Sequence, residues 1–170
     1  LLKRENHIRQ IAKELGINHM TIKRALDSMV KENVLDVKEE GKNNVFSIKN
    51  SIEAHNAVLA AEIHRLSKFI KNHPELKREI LDLKKLQPMV VIFGSYAKET
   101  ETKESDIDVF IETRDTKIKN HISKLNAKFS VKIGKYNKND LLIKEIEKNH
   151  IILRGFEEFY EKSRFFDRIA

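Results

Sequence analysis

Residues 94–112, "GSYAKETETKESDIDVFIE", follow directly on the apolar run "PMVVIF" at 88–93. The run reads as a strand, and Gly94-Ser95 as a small-residue turn at its end. After ten intervening residues, 96–105, comes a second strand, "DIDVFIE", which carries two carboxylates one residue apart. Alternate residues of a strand share a face. Asp106, Asp108, Phe110 and Glu112 therefore point one way, and Ile107, Val109 and Ile111 point the other way, into a core. Two neighbouring aspartates repel each other, and burying a charge costs free energy unless something pairs with it. A hard divalent ion, Mg²⁺ (or Mn²⁺), fits that need, because it takes carboxylates together with waters and substrate phosphates. Gly94 lets the backbone turn sharply and approach a phosphate. A helix starting at Ser95 or Tyr96 offers free N–H groups to the same anion, with the Ser95 hydroxyl as an added donor.

From Met89 onward the pattern alternates. Strands are expected at "MVVIF", "DIDVFIE" and "KFSVKIGKY", with helices over 116–127 and 139–149, a short strand "HIIL", and a closing helix "GFEEFYEKSRFF". At these residues the chain resembles the minimal nucleotidyltransferases of the DNA-polymerase-β superfamily, whose signature is an apolar strand, Gly-Ser, about ten residues and Asp-x-Asp on the next strand. The resemblance covers about residues 85–165. It implies transfer of a nucleoside monophosphate from an NTP, with ATP as the first choice, to an acceptor. Asp106 and Asp108 are then the catalytic and metal-holding residues, and Gly94, Ser95 and Lys98 the nucleotide-binding ones. The family usually supplies a third carboxylate from the following strand. Here "SVKIG" puts Lys132 where that acid is expected, and Glu112, about 13 Å along the strand from Asp106, is a weak substitute.

The first fifty residues read as helix, turn, helix, hairpin. "HIRQIAKELG" places Ile8, Ile11, Ala12 and Leu15 on one helical face, and Gly16 ends it. "NHMTIKRALDSMVKEN" places Ile22, Leu26, Met29 and Val30 inward. "VLDVK" and "VFSIK" flank a turn, "EEGKNN". This segment resembles a winged helix-turn-helix. The resemblance implies DNA binding by the exposed start of the second helix, through Asn18, His19, Thr21, Lys23 and Arg24, with Lys42 and Asn43 in the wing. Residues 51–86 read as a helical linker. Asn50 and Glu53 have capping-box spacing, Ile52, Leu59, Ile63, Leu66 and Ile70 form an apolar stripe, and "NHP" makes a break. The fold class expected is α+β, with domains at 1–50, 51–86 and 87–170.

Composition bounds the rest. The 40% apolar content supports packed cores. No apolar run approaches the ~18 residues of a membrane span, so no membrane partner is expected. With no cysteine and no signal-peptide pattern, the expected location is the cytoplasm. Charge is uneven: residues 114–150 carry ten Lys/Arg against four Asp/Glu, which is +6 of the total +7. Such a local excess points to a polyanionic partner or substrate. The leading expectation is a DNA-binding nucleotidyltransferase acting on an unidentified acceptor, with a partner toxin protein as the family-based candidate and an antitoxin-like or regulatory role. A homodimer suits paired DNA half-sites. The alternative is a transcriptional regulator whose degenerate transferase domain senses nucleotide. RNA extension is a third reading, drawn from the basic 114–150 segment.

Overall fold

The computed structural model describes residues 6–41 and 43–169. The chain divides into two compact units, residues 1–60 with 164–170, and residues 61–163.

In the first unit, β1 (Asn6–His7) leads into α1 (Ile8–Leu15). Gly16 stops α1 with φ +64°, and its N–H turns back to the carbonyls of Ala12 and Lys13. The Asn18 side chain caps α2 (His19–Lys31), accepting from Met20 N at 2.8 Å. β2 (Leu35–Glu40) and β3 (Asn43–Ile48) pair antiparallel from Leu35 opposite Ile48 to Glu40 opposite Asn43. β1 flanks β3 on its other side, giving the order β1-β3-β2. Ile11, Ile22, Leu26, Leu35, Val45, Phe46 and Ile48 are buried. Met29, expected inward, is 39% exposed. A short 3₁₀ helix, Phe166–Ile169, belongs to the same unit, and the Phe166 ring stacks on His55 at 3.7 Å.

α3 (Ile52–Asn72) begins in the first unit and continues into the second. Its cap is Ser51, whose Oγ accepts from Ala54 N at 3.1 Å, whereas the expected cap, Asn50, instead meets the His55 ring. The expected apolar stripe is also displaced. Ile52 and Ile63 are exposed, while Glu62, Leu66 and Phe69 are buried. Leu66 and Phe69 pack in the second unit's core with Leu76 of a 3₁₀ turn (Pro74–Leu76) and with Ile80 and Leu83 of α4 (Lys77–Lys84). Residues 61–86 are thus part of that core and not a separate linker. The expected boundaries at 50/51 and 86/87 do not coincide with the observed division.

The second unit is built on β4 (Val90–Phe93), β5 (Ile107–Ile111), β6 (Phe129–Ile133) and β7 (Ile151–Arg154). Their order is β6-β5-β4-β7, with β5 and β6 parallel and the other pairs antiparallel. Connections run through α5 (Gly94–Lys98), α6 (Thr116–Ser123) and α7 (Leu141–Lys148), and α8 (Phe156–Lys162) closes the unit. One sheet face, with Ile92, Val109, Ile111 and Val131, packs on the core that α3 and α4 also enter. Those side chains are between 0 and 5% exposed, and each such burial contributes about 1.5–3 kcal/mol. The other face carries Val91, Phe93, Asp108 and Phe110. The molecule is α+β with a mixed sheet. No described helix is long and apolar enough to cross a membrane.

Candidate functional site

β4 ends at Phe93, which pairs with Asp108 of β5. The next residue, Gly94, has φ +70° and opens α5. A Cβ at Gly94 would collide with the Asp108 carboxylate, Oδ2 being nearest and Cγ lying 3.2 Å away. Glycine is therefore required twice, once for the sign of φ and once for space. Tyr96 and Ala97 are buried in the core and anchor the turn, while Ser95 is half-buried beside it. The expected helix start at Ser95 or Tyr96 comes one residue earlier, at Gly94.

Asp106 is exposed immediately before β5, and Asp108 is half-buried within it. Alternation places both on one face, about 6–7 Å apart along the strand, with Ile107 and Val109 buried behind them. Neither carboxylate has a hydrogen-bond or ion-pair partner among the described residues. Two unpaired acids that open to solvent suit a hard divalent ion, whose remaining ligands are waters and phosphate oxygens. No group of three His, Cys, Asp or Glu side chains with metal-ligand geometry occurs among the described residues.

The parallel register refines the reading of the third acid. Ser130 of β6 stands beside Asp108, and Lys132 stands beside Phe110, one step farther along. Neither is a carboxylate. Glu112 is no substitute, because its Oε1 accepts from Tyr136 N at 3.1 Å and its Oε2 from Lys162 Nζ at 2.6 Å. Lys98 lies at the end of α5 and is ion-paired to Glu145 of α7 at 2.8 Å, so contact with phosphate requires breaking that pair.

In the first unit, His19 and Lys23 line an open pocket of about 510 Å³ with His7, Arg9, Gln10, Asn43 and Asn44. No acid lines it among the described residues. Thr21 and Arg24 are exposed on α2. The Asn18 Oδ1 is occupied as a helix cap. Lys42 lies outside the described residues.

One polar cluster escaped sequence reading. Glu62 of α3, His150 before β7 and Tyr160 of α8 are all buried. Tyr160 donates to Glu62 Oε1 at 2.8 Å, and His150 Nε2 lies 3.4 Å from the same oxygen. His150 Nδ1 is 2.8 Å from the Ile146 carbonyl and so carries a proton there. Burial pushes the Glu62 carboxyl up, but the His150 ring, the Tyr160 hydroxyl and the Arg65 charge hold it below its ordinary value. Burial, then Glu62, push the Tyr160 hydroxyl well above its ordinary value. The spacing of Glu62, Leu66 and Phe69 on one helical face was the available signal. Arg154, by contrast, donates to the carbonyls of Gln87 and Lys84.

The chain is 31% identical over 96 residues to the protein named "Putative protein adenylyltransferase MJ0128" of Methanocaldococcus jannaschii, an alignment covering 56% of this chain and 92% of that one. No solved structure matches it significantly. The family described as the nucleotidyltransferase domain matches residues 65–169, which span the Gly94 turn, the aspartate pair and the whole four-stranded sheet. This chain belongs to that family, and it is a nucleotidyltransferase.

Proposed function

We propose that the protein transfers the nucleoside monophosphate of ATP to a hydroxyl of a protein acceptor, at Asp106 and Asp108. The fit between Gly94 and Asp108 carries this reading. It makes the phosphate-side turn and the acidic strand one structure, so that a nucleotide on the turn meets the carboxylates. Gly94 and Ser95 hold the triphosphate, and Asp106 and Asp108 hold Mg²⁺ or Mn²⁺. When bound, the ion neutralises the phosphates and lowers the barrier to attack. The acceptor oxygen bonds to the α-phosphorus, the α–β anhydride bond breaks, pyrophosphate leaves, and the hydroxyl proton passes to water. The protein acceptor is favoured by the archaeal relative's name.

The first unit is read as a winged helix that binds DNA through α2 and the β2–β3 hairpin. His19, Thr21, Lys23 and Arg24 face the duplex, as suits an antitoxin or regulator that controls its own operon. The lining around His19 and Lys23, which holds no acid among the described residues, supports it.

The test is purified protein with α-³²P-ATP, Mg²⁺ and host extract. Label is expected on a protein, and its loss is expected in Asp106→Asn and Asp108→Asn. Labelled nucleotide that binds but never transfers favours the nucleotide-sensing alternative, for which the missing third carboxylate is the specific observation. Label on RNA in place of protein overturns the protein acceptor.

A further inference from the structure

We infer that α6, β6 and the loops that flank them form the surface on which the acceptor docks, and that the acceptor presents an acidic protein segment to it. This rests on the transfer reading above.

From Arg114 to Lys135 the chain carries seven basic residues and a single acid, Asp115. All seven basic residues are exposed. Asp115 is taken up as the cap of α6, accepting from Lys117 N at 2.8 Å. None of the seven is ion-paired among the described residues, and Lys128 only donates to the Lys103 carbonyl. Elsewhere in this unit acidic residues are interspersed with the basic ones, and several pairs form. Lys68 pairs with Glu99, Lys85 with Asp82, Lys98 with Glu145, and Lys162 with Glu112 and Glu158. The net positive charge of the unit is thus concentrated on α6, β6 and the loops that flank them, where it attracts an anionic partner.

The topology aims that charge at the site. β5, with the aspartates, lies between β4 and β6. The Gly94 turn lies on the β4 side, so a nucleotide gripped there leaves the β6 side for the acceptor. β6 is the sheet edge, with β5 as its strand neighbour, and it places Ser130 beside Asp108 and Lys132 next on that face. An edge strand can take an extended segment along its free side. Single-stranded nucleic acid is also anionic, but its binding relies on exposed aromatic faces for stacking. The only Phe, Tyr or Trp between 114 and 135 is Phe129, which is buried. An acidic polypeptide needs no such platform.

Fluorescence anisotropy on the full chain tests this, with no ATP present. The probes are a labelled Glu/Asp-rich peptide carrying one tyrosine, its Lys-rich counterpart, and a single-stranded RNA of equal negative charge. The acidic peptide is expected to bind and to weaken as salt rises. Charge reversal, K124E/K128E/K135E, is expected to weaken it roughly ten-fold or more and to leave fluorescent-ATP affinity unchanged. Should that variant fail to fold, K124Q/K128Q/K135Q replaces it. RNA binding tighter than the peptide, unchanged peptide affinity in the variant, or no peptide binding overturns the inference. A protein that binds the peptide but labels nothing defeats the transfer reading and leaves the docking surface standing. Equal labelling of an acceptor by wild type and variant does the reverse.

Discussion

Gly94 and Asp108 occupy adjoining space to the limit that atoms allow. Gly94→Ala is expected to cost about 1–3 kcal/mol, because it combines a strained φ with a collision. It should also abolish detectable binding of a fluorescent ATP analogue, whereas Ser95→Ala should only weaken it. Isothermal titration of both variants checks this, and wild-type affinity in Gly94→Ala would sink it. Asp108→Ala removes the obstruction but not the strain, so in the double variant the two costs should fall short of adding. The turn at Gly94-Ser95 and the strand that carries the aspartates were legible in the sequence, because both depend on short-range spacing. The neighbours of Asp108 on β6 were not legible to the residue. Which of Ser130 and Lys132 stands beside it depends on strand register, and a two-residue shift keeps every side chain on the same face.

Among the elements, α3 shows where pattern reading fails. Its stripe was assigned from isoleucines and leucines, and Leu66 is buried as expected, yet Ile52 and Ile63 are exposed and Glu62 is buried. A glutamate on an apolar face counts as polar until its partners are known, and His150 and Tyr160 are about ninety residues away. The strand β4, by contrast, was found because five consecutive apolar residues, 89–93, bounded by Pro88 and Gly94 leave few alternatives. Ionised Glu62 stabilises the fold. Its folded pKa lies below the ordinary 4.5, so its contribution is fully present above that value and is lost as pH falls through the folded one. Glu62→Gln is expected to lower stability at neutral pH by about 1–3 kcal/mol and to flatten the acid limb of thermal midpoint against pH. An acid limb identical to wild type would contradict it. Tyr160→Phe should cost about 1 kcal/mol, read by urea unfolding.

For the whole molecule, two activities are proposed on two units, and they should separate. Lys23→Ala with Arg24→Ala is expected to lower DNA affinity and to reduce its salt dependence by about two phosphate contacts, with ATP affinity unchanged. Electrophoretic mobility at several salt concentrations measures this, and an unaltered salt slope would count against α2 as the DNA-facing helix. The connectivity has a thermodynamic result of its own. The second unit, Ala61 to Ser163, interrupts the first, whose last residues resume at Arg164. Close to both crossing points, Glu62 and Tyr160 are joined by a 2.8 Å hydrogen bond. While that clasp holds, the first unit is tethered through a short bridge. Once the insertion melts, the same ends are linked by a long slack chain, and the closure entropy rises by about 2 kcal/mol. Any nucleotide that firms up the inserted unit should therefore delay melting of its host, without touching it.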